Sequence, residues 1–481
     1  MIMRGTKLLY FKLSRSAIKL KELKDNLVVC VFLRKTQTPA FFWEKYLNNL
    51  LLKSSINNLN YPLKPELPPH FTQKEFIEWF VGFTDGEGCF SIRIQNEKTI
   101  SLIFTIELHK DDVEVLHKIA NGLGVGRVLV NKNKDSALFF ISKFEDINSV
   151  LIPLFKNFPL QTTKHLDFIS FADAASIIFN SRNLKKKLSL LELEKLIDLK
   201  QSINTKRLII NEEENKLLVD KVYISKWWLL GFIEGEGTFG YKHLVPYFQI
   251  AQNKKNLFVL KAIEAYLKEE LVPSLINSEN KELEFKYNLN KLTGVYSMTF
   301  EKVDNNFYHL IPFFESLTFL SRKSLDYEWW VLSVFIHKLG YFYLPEGKQI
   351  ALQISSSTNK YRYTTAKDSL NKIGLPSIES ILNLFKQTPP FDISSHRSHF
   401  ELVREFTIAK GGRKGFLVHI YECDSTLDGM PLKEVKDSPF STYGDGHEVL
   451  GLKRGSRVIG RYIDTGKLYR DKYRFSSVPL K

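Results

Sequence analysis

The stretch GFTDGEGCF, Gly82 to Phe90, returns as GFIEGEGTF at Gly231 to Phe239. The offset is 231 − 82 = 149 residues, a domain-sized period rather than that of a solenoid. In both copies an apolar, aromatic run leads into the glycines: EFIEWFVGFT before Asp85 and ISKWWLLGFI before Glu234. Each run reads as a helix whose last turn carries two acids. The segments after each copy also match. FSIRIQ, then SLIFTIELH from Ser101, alternate like half-buried strands. KDDVEVLHKIANGLG (Lys110 to Gly124) has helical spacing and a glycine stop. GVGRVLV and SALFFISK read as two more strands, FEDINSVLIPLFKNF as a helix and KHLDFISFADAASIIF as a last one. In the second half VPYFQIAQNKK, KNLFVLKAIEAYL, FKYNLN, VYSMTF and FYHLIPFFESLTFLSRKSLDYEWW keep the same order. The fold class is therefore α+β: two pseudo-symmetric αββαββα repeats with antiparallel sheets.

Gly82 and Gly86 are four apart and share one helix face, as do Gly231 and Gly235. Small residues there let two helices approach backbone to backbone. Such a pairing joins the halves about a pseudo-twofold axis and brings Asp85, Glu87, Glu234 and Glu236 together at the helix ends. Carboxylates at helix C-termini oppose the macrodipole and repel one another. Divalent cations relieve both problems, and oxygen ligands suit magnesium. Carboxylates sharing metal beside a basic surface suit phosphodiester hydrolysis. An ordinary helix-ending turn with solvated acids accounts for one such copy, but poorly for two in matching surroundings.

Composition fits this reading. With 68 Lys and Arg against 53 Asp and Glu, the formal net charge is +15, which favours a polyanionic partner, nucleic acid before membrane surface. A hydrophobic fraction of 44% in 481 residues supports packed cores and two or three domains. Cys30, Cys89 and Cys423 are far apart, offering neither zinc spacing nor a disulfide framework and suggesting a reducing compartment. No apolar run is long enough for a membrane span. Before Glu22 the chain carries Arg4, Lys7, Lys12, Arg15, Lys19 and Lys21 and no acid. That fits a mitochondrial import sequence, and equally an irregular basic leader. Neither a nucleotide-binding glycine loop nor a nucleophilic serine–histidine constellation stands out.

FVGFTDGEG and LLGFIEGEG resemble the name-giving motif of the LAGLIDADG homing endonucleases, in the single-chain two-motif form found in fungal mitochondrial introns. The resemblance runs from about Phe71 to Leu339. It implies a monomeric, mitochondrial endonuclease that cuts double-stranded DNA at a long site with Mg2+, about two or three divalent ions in all. Carried over, the second acid of each motif, Glu87 and Glu236, is a catalytic metal ligand. The main-chain carbonyls of Gly86 and Gly235 are further ligands, and Asp85 and Glu234 take the structural helix-end position. Glu234 is longer than the family's Asp. Gln252 matches a polar strand residue that helps position water. The first half has Leu108 there, so the two active sites are expected to be unequal. Lys164 and Lys323 match a basic position near the last helix, as catalytic groups or as solvated helix-start charges.

Alternation names a DNA-facing set. If Phe90, Ile92 and Ile94 face the helices, then Ser91, Arg93 and Gln95 face outward. Thr105, Glu107 and His109 do so on the next strand, and Lys242, Tyr247 and Gln249 in the second half. Arg and Gln suit guanine and adenine edges; an ordinary solvated sheet face is the alternative. Residues 1–70 form a leader or an upstream extension, 71–180 and 223–340 the repeats, 181–222 a charged linker and 341–415 a connecting region. Residues 416–481 resemble the small helix-turn-helix repeats attached to intron-encoded nucleases, with Arg454, Arg457 and Arg461 at helical spacing. A basic surface helix in a small domain is the other reading of that segment. Two further functions fit the scaffold: a group I intron RNA maturase, using the same basic surface on RNA, and a cleavage-dead DNA-binding protein.

Overall fold

The computed structural model describes residues 71–481 except 96–98, 205–206, 208–209, 272–282, 284, 359–373, 393–396, 410–416, 423–432 and 481. The leader expectation for residues 1–70, Cys30 and Cys423 all lie outside the described residues. The chain forms two compact units, Met1–His399 and Phe400–Lys481.

In the first unit both repeats have the expected order. Repeat 1 comprises α1 (Gln73–Glu87), β1 (Gly88–Gln95), β2 (Thr99–His109), α2 (Val113–Leu123), β3 (Arg127–Val130), β4 (Ser136–Ile141), α3 (Ile152–Asn157) and α4 (Lys164–Asn183). Two helices follow, α5 (Leu190–Gln201) and α6 (Glu212–Lys221). Repeat 2 comprises α7 (Lys226–Glu236), β5 (Gly237–Lys242), β6 (Val245–Asn253), α8 (Leu257–Leu271), β7 (Lys286–Asn290), β8 (Val295–Phe300), α9 (Ile311–Glu315) and α10 (Lys323–Lys338). The sheets are antiparallel, in the equivalent orders β1-β2-β4-β3 and β5-β6-β8-β7.

The repeats meet along α1 and α7. Thr72 starts α1 with a reciprocal capping box to Glu75, and Ser225 caps α7 through the Trp228 N–H. A Cβ added at Gly82 would lie 1.9 Å from the Trp228 carbonyl oxygen, and one at Gly231 would lie 2.0 Å from that of Trp79. Only glycine permits this crossing. One turn further on, a Cβ at Gly86 would meet the Gly235 Cα at 3.3 Å. Phe76, Trp79, Phe80 and Phe83 of α1 and Leu229, Leu230 and Phe232 of α7 are buried in one core with both sheets. Each such side chain contributes roughly 1.5–3 kcal/mol.

The linker is more ordered than the sequence reading expected. The linker contains α5 and α6, each begun by a capping box, Ser189 with Glu192 and Asn211 with Glu214. It is tied to repeat 1. The Asn204 carboxamide donates to the Phe90 carbonyl at 2.7 Å, and Arg207 donates to Glu214, the Leu166 carbonyl and Ser170. The expected connecting region contains α11 (Pro345–Ser357) and α12 (Ile378–Phe385). Their Ile350, Ile354, Ile381 and Leu384 join the core of the repeats.

Helix α13 (His399–Ala409) leads into the second unit, where β9 (His419–Glu422), β10 (Lys433–Glu434) and β11 (Tyr473–Ser476) form a sheet in the order β10-β9-β11. Between β10 and β11 stand α14 (Tyr443–Val449) and α15 (Val458–Tyr462). Val418, Ile420, Phe440, Ile459 and Phe475 make a separate small core. Buried His447 joins the two short helices: its Nε2 accepts from the Ile459 N–H at 3.2 Å, which leaves Nδ1 to donate to the Arg454 carbonyl. The helical spacing read for three arginines is corrected here. Arg454 lies in the connection, paired with Asp445 at 2.7 Å and Glu448 at 2.9 Å. Arg457 is the N-cap of α15 and Arg461 lies within it.

Candidate active site at the helix crossing

The four motif acids do not crowd into one cluster, as the spacing alone suggested. The first acids turn into the protein. Asp85 accepts from the Gln161 N–H at 2.8 Å, from the Thr162 N–H and hydroxyl at 3.0 and 2.6 Å, and from the Trp228 indole at 2.9 Å. Glu234 repeats the pattern with the Leu320 and Ser321 N–H groups at 3.0 and 2.6 Å and the Trp79 indole at 2.8 Å. Each acid therefore ties its motif helix to the start of its own last helix and to the other repeat's tryptophan. Burial pushes both carboxyls up, and these donors pull against it. A hydrogen bond to a charged group is worth about 1.5–3 kcal/mol. The longer Glu234 makes the same set of bonds as Asp85, so the extra methylene is accommodated.

The second acids remain at the crossing. The Glu87 side chain lies against Gly235 and that of Glu236 against Gly86, each reaching across the pseudo-twofold axis. Burial raises the Glu87 carboxyl, repulsion from Glu236 raises it further, and Lys164 and Lys323 oppose both. The Glu236 carboxyl is also raised by burial, eased by a hydrogen bond from Gln252 and by the same two lysines.

Lys164 and Lys323 are not solvated helix-start charges. Each opens a last helix, and its ammonium turns inward. The Lys164 Nζ donates to the Thr84 carbonyl at 2.9 Å and the Gly86 carbonyl at 3.1 Å, and the Lys323 Nζ donates to the Gly237 carbonyl at 2.7 Å. Burial lowers both ammonium groups below the usual lysine range, while neighbouring carboxylates hold them up. The Gly86 carbonyl, expected as a ligand, thus already accepts from Lys164.

Gln252 sits on the inward face of β6, 8% exposed, where it bonds Glu236. Asn256, four residues further on, fixes it: the Asn256 Nδ2 donates to the Gln252 Oε1 at 2.8 Å. The Asn256 Oδ1 accepts from the Thr163 N–H at 2.9 Å, just before Lys164 of the other repeat. The equivalent positions in repeat 1 are Leu108 and Asp112, so the two halves of the site differ by a carboxamide pair. Sequence reading missed Asn256, Thr162, Ser321, Trp79 and Trp228. The tryptophans had a signal, since each stands three residues before the first motif glycine.

The oxygens gathered here are hard donors of the kind magnesium or calcium takes. Among the described residues no group of three or more His, Cys, Asp and Glu clusters to hold a metal. A divalent cation would therefore rest on Glu87, Glu236 and main-chain carbonyls. The mutual repulsion of the two carboxylates makes them fit that charge.

On the sheets, alternation places Ser91, Arg93 and Gln95 on the face away from the helices, with Arg93 and Gln95 exposed. Thr105, Tyr247 and Gln249 lie on the same outward faces, and Gln249 donates to Ser297 at 3.1 Å. His109 ends β2 and accepts from the Asp111 N–H at 3.3 Å, so it caps a turn as well. Lys242 is exposed and shares Glu301 with Lys286.

Both repeats match the model of the LAGLIDADG endonuclease family, over residues 80–175 and 229–334. Over those two segments, which make up less than half of its length, the chain is similar to that family. The chain is 25% identical over 450 residues to the uncharacterized mitochondrial protein RF1 of Saccharomyces cerevisiae, covering 90% of this chain and 87% of that protein. It is 27% identical over 358 residues to the probable intron-encoded endonuclease Cox1-I1b of Schizosaccharomyces pombe, covering 68% and 85%. Among solved structures it is similar to I-SmaMI bound to uncleaved DNA in the presence of calcium ions, at 20% identity and a TM-score of 0.48, covering 59% of this chain and 98% of that one.

Proposed function

We propose that this chain is a site-specific endonuclease that hydrolyses phosphodiester bonds in double-stranded DNA at a long site, with Mg2+ held by Glu87 and Glu236. The observation that carries this reading is the crossing itself. Two carboxylates from different repeats lie at the crossing, both raised by burial and Glu87 also by Glu236, in a body whose two sheets carry arginine, lysine and glutamine on their outward faces. A divalent ion there supplies polarisation of the scissile phosphate and stabilisation of the leaving oxygen. The chain's own groups do the positioning. Gln252 holds Glu236 through a hydrogen bond, Asn256 holds Gln252, and Lys164 and Lys323 offset carboxylate charge. One chain supplies both halves of the site, so a monomer suffices. The mitochondrion is the proposed compartment, from the naming of the Saccharomyces cerevisiae relative. The basic second unit, through exposed Arg457 and Arg461, would lengthen the DNA footprint.

The test is cleavage of a duplex DNA library with and without magnesium, comparing the natural chain with Glu87→Gln and Glu236→Gln. Magnesium-dependent double-strand cuts at one site, lost or reduced to nicks in the variants, support the reading. Selective DNA binding without cutting leaves a cleavage-dead binder. Selective binding of a structured intron RNA, with no DNA preference, overturns it in favour of a maturase.

A further inference from the structure

The two sheets share strand order and pairing register, yet their outward faces differ in chemistry. Across repeat 2, one outward row runs Gln249–Thr299–Lys286 and the next Ala251–Ser297–Asn288. The equivalent rows of repeat 1 run Thr105–Phe140–Arg127 and Glu107–Leu138–Leu129. Phe140 thus stands where repeat 2 has Thr299, Leu138 where it has Ser297, and Leu129 where it has Asn288. Ile103 adds a fourth apolar side chain on the same outward face, beside Ser91 and two residues from Thr105. Leu129 is 57% exposed, and Ile103, Leu138 and Phe140 are each half-buried. None of the four belongs to the buried core, whose neighbouring residues Leu102, Phe104, Ala137 and Phe139 point the other way. A basic residue is kept at the same place in both rows, Arg127 and Lys286, the latter paired with Glu301.

Resting on the DNA reading above, we propose that repeat 1 recognises its half-site chiefly through thymine methyl groups, while repeat 2 reads hydrogen-bonding base edges. In the major groove the C5-methyl of thymine is the apolar group a side chain can contact. Leu, Ile and Phe have no donor or acceptor to offer, so placed against polar base edges they leave those edges unsatisfied. Against methyls they bury apolar area instead. Asn, Gln, Ser and Lys at the equivalent positions can pair with adenine and guanine edges. The two half-sites are therefore unlike in composition, with thymine-rich steps under repeat 1.

Deoxyuridine tests this directly, because it lacks only the methyl and keeps the Watson–Crick edge and the O4 acceptor. Target duplexes are selected from a random library with the full-length protein in calcium, and affinity is measured by fluorescence anisotropy. Deoxyuridine then replaces thymidine in one half-site at a time. The half facing repeat 1 is the one whose base preferences change in the Leu138→Ser/Phe140→Thr double variant, which installs the residues of repeat 2. Substitution in that half is expected to weaken binding about three- to fourfold per contacted methyl, and in the other half to leave it unchanged. The double variant should lose the sensitivity while keeping the melting temperature of the natural chain. Selected sites that bind equally with deoxyuridine in either half, or lose equally in both, overturn the inference and leave the DNA reading standing. Failure to select any duplex overturns the DNA reading and the inference with it.

Discussion

Replacing Gly82 with alanine probes the contact on which the two-repeat architecture rests. The new methyl carbon would lie 1.9 Å from the Trp228 carbonyl oxygen and 2.8 Å from its carbon. The obstacle is backbone, which cannot rotate away as a side chain would. Helices α1 and α7 must separate by about 1 Å or more, and a gap of that order forfeits roughly a quarter to a half of each contact's dispersion energy. Overpacking alone costs about 1–3 kcal/mol. The separation also stretches the Trp228–Asp85 and Trp79–Glu234 bonds, each worth roughly 1.5–3 kcal/mol when intact. The expected loss is therefore about 3–5 kcal/mol, a large share of a typical domain's stability. Urea unfolding followed by tryptophan fluorescence reads this cleanly, since none of the six tryptophans lies beyond Trp330 and the second unit is silent. Gly374→Ala is the control: its added Cβ meets nothing within 4 Å, and a change within about 0.5 kcal/mol is expected. A loss below about 1 kcal/mol for Gly82→Ala would refute the claim that the crossing depends on glycine.

Gln252→Leu copies the Leu108 of repeat 1 into repeat 2. It should slow cutting of one strand by about 10–100-fold, as loss of a group that orients a metal ligand does, so that nicked plasmid accumulates; equal slowing on both strands would argue against the assignment. Trp79→Phe leaves buried Glu234 one donor short, at a cost of about 1–3 kcal/mol in urea unfolding, and Trp228→Phe should cost the same through Asp85. Acid should destabilise the first unit through His337, which burial holds down at about 3. Its folded-state pKa lies below the unfolded value of about 6.5, so below pH 6.5 only the unfolded chain binds this proton. Stability is then full above that pH and falls by about 1.4 kcal/mol per unit toward pH 3. His337→Asn should flatten this slope by one proton, whatever its effect on stability at neutral pH.

Much of this was legible in the sequence because duplication supplies its own control. The αββαββα order and the sheet alternation follow from two matching periodicities, and a strand flipped by one residue would have exposed Phe90 and Phe104. The first acids were harder. Their partners, Gln161 and Thr162 on one side and Leu320 and Ser321 on the other, are 76 or more residues away along the chain, and no local pattern fixes such a distance. The inward turn of Lys164 and Lys323 was hidden likewise, since a lysine at a helix start is solvated unless distant carbonyls enclose it. Other misses had local signals. Ser189-Leu-Leu-Glu192 and Asn211-Glu-Glu-Glu214 are capping boxes, and the charge runs around them obscured two helices. Arg454, Arg457 and Arg461 fit a helical wheel, but Gly455 and Ser456 interrupt the helix that wheel assumes.

The crossed tryptophan–carboxylate bonds say something about how such a chain is put together. Each repeat carries both partners of the exchange, an indole donor and, six residues later, an acid that accepts one. Each also carries both glycines of the crossing. A single repeat is therefore complementary to a copy of itself, and two copies would satisfy the crossed tryptophan–carboxylate bonds and the glycine contact, in the isologous manner of a twofold dimer. Tandem fusion adds nothing to that contact. What it adds is independence elsewhere: with pairing guaranteed by the shared helices, Leu108 and Gln252, or Phe140 and Thr299, are free to be different residues, and the two halves of one chain need not carry the same chemistry.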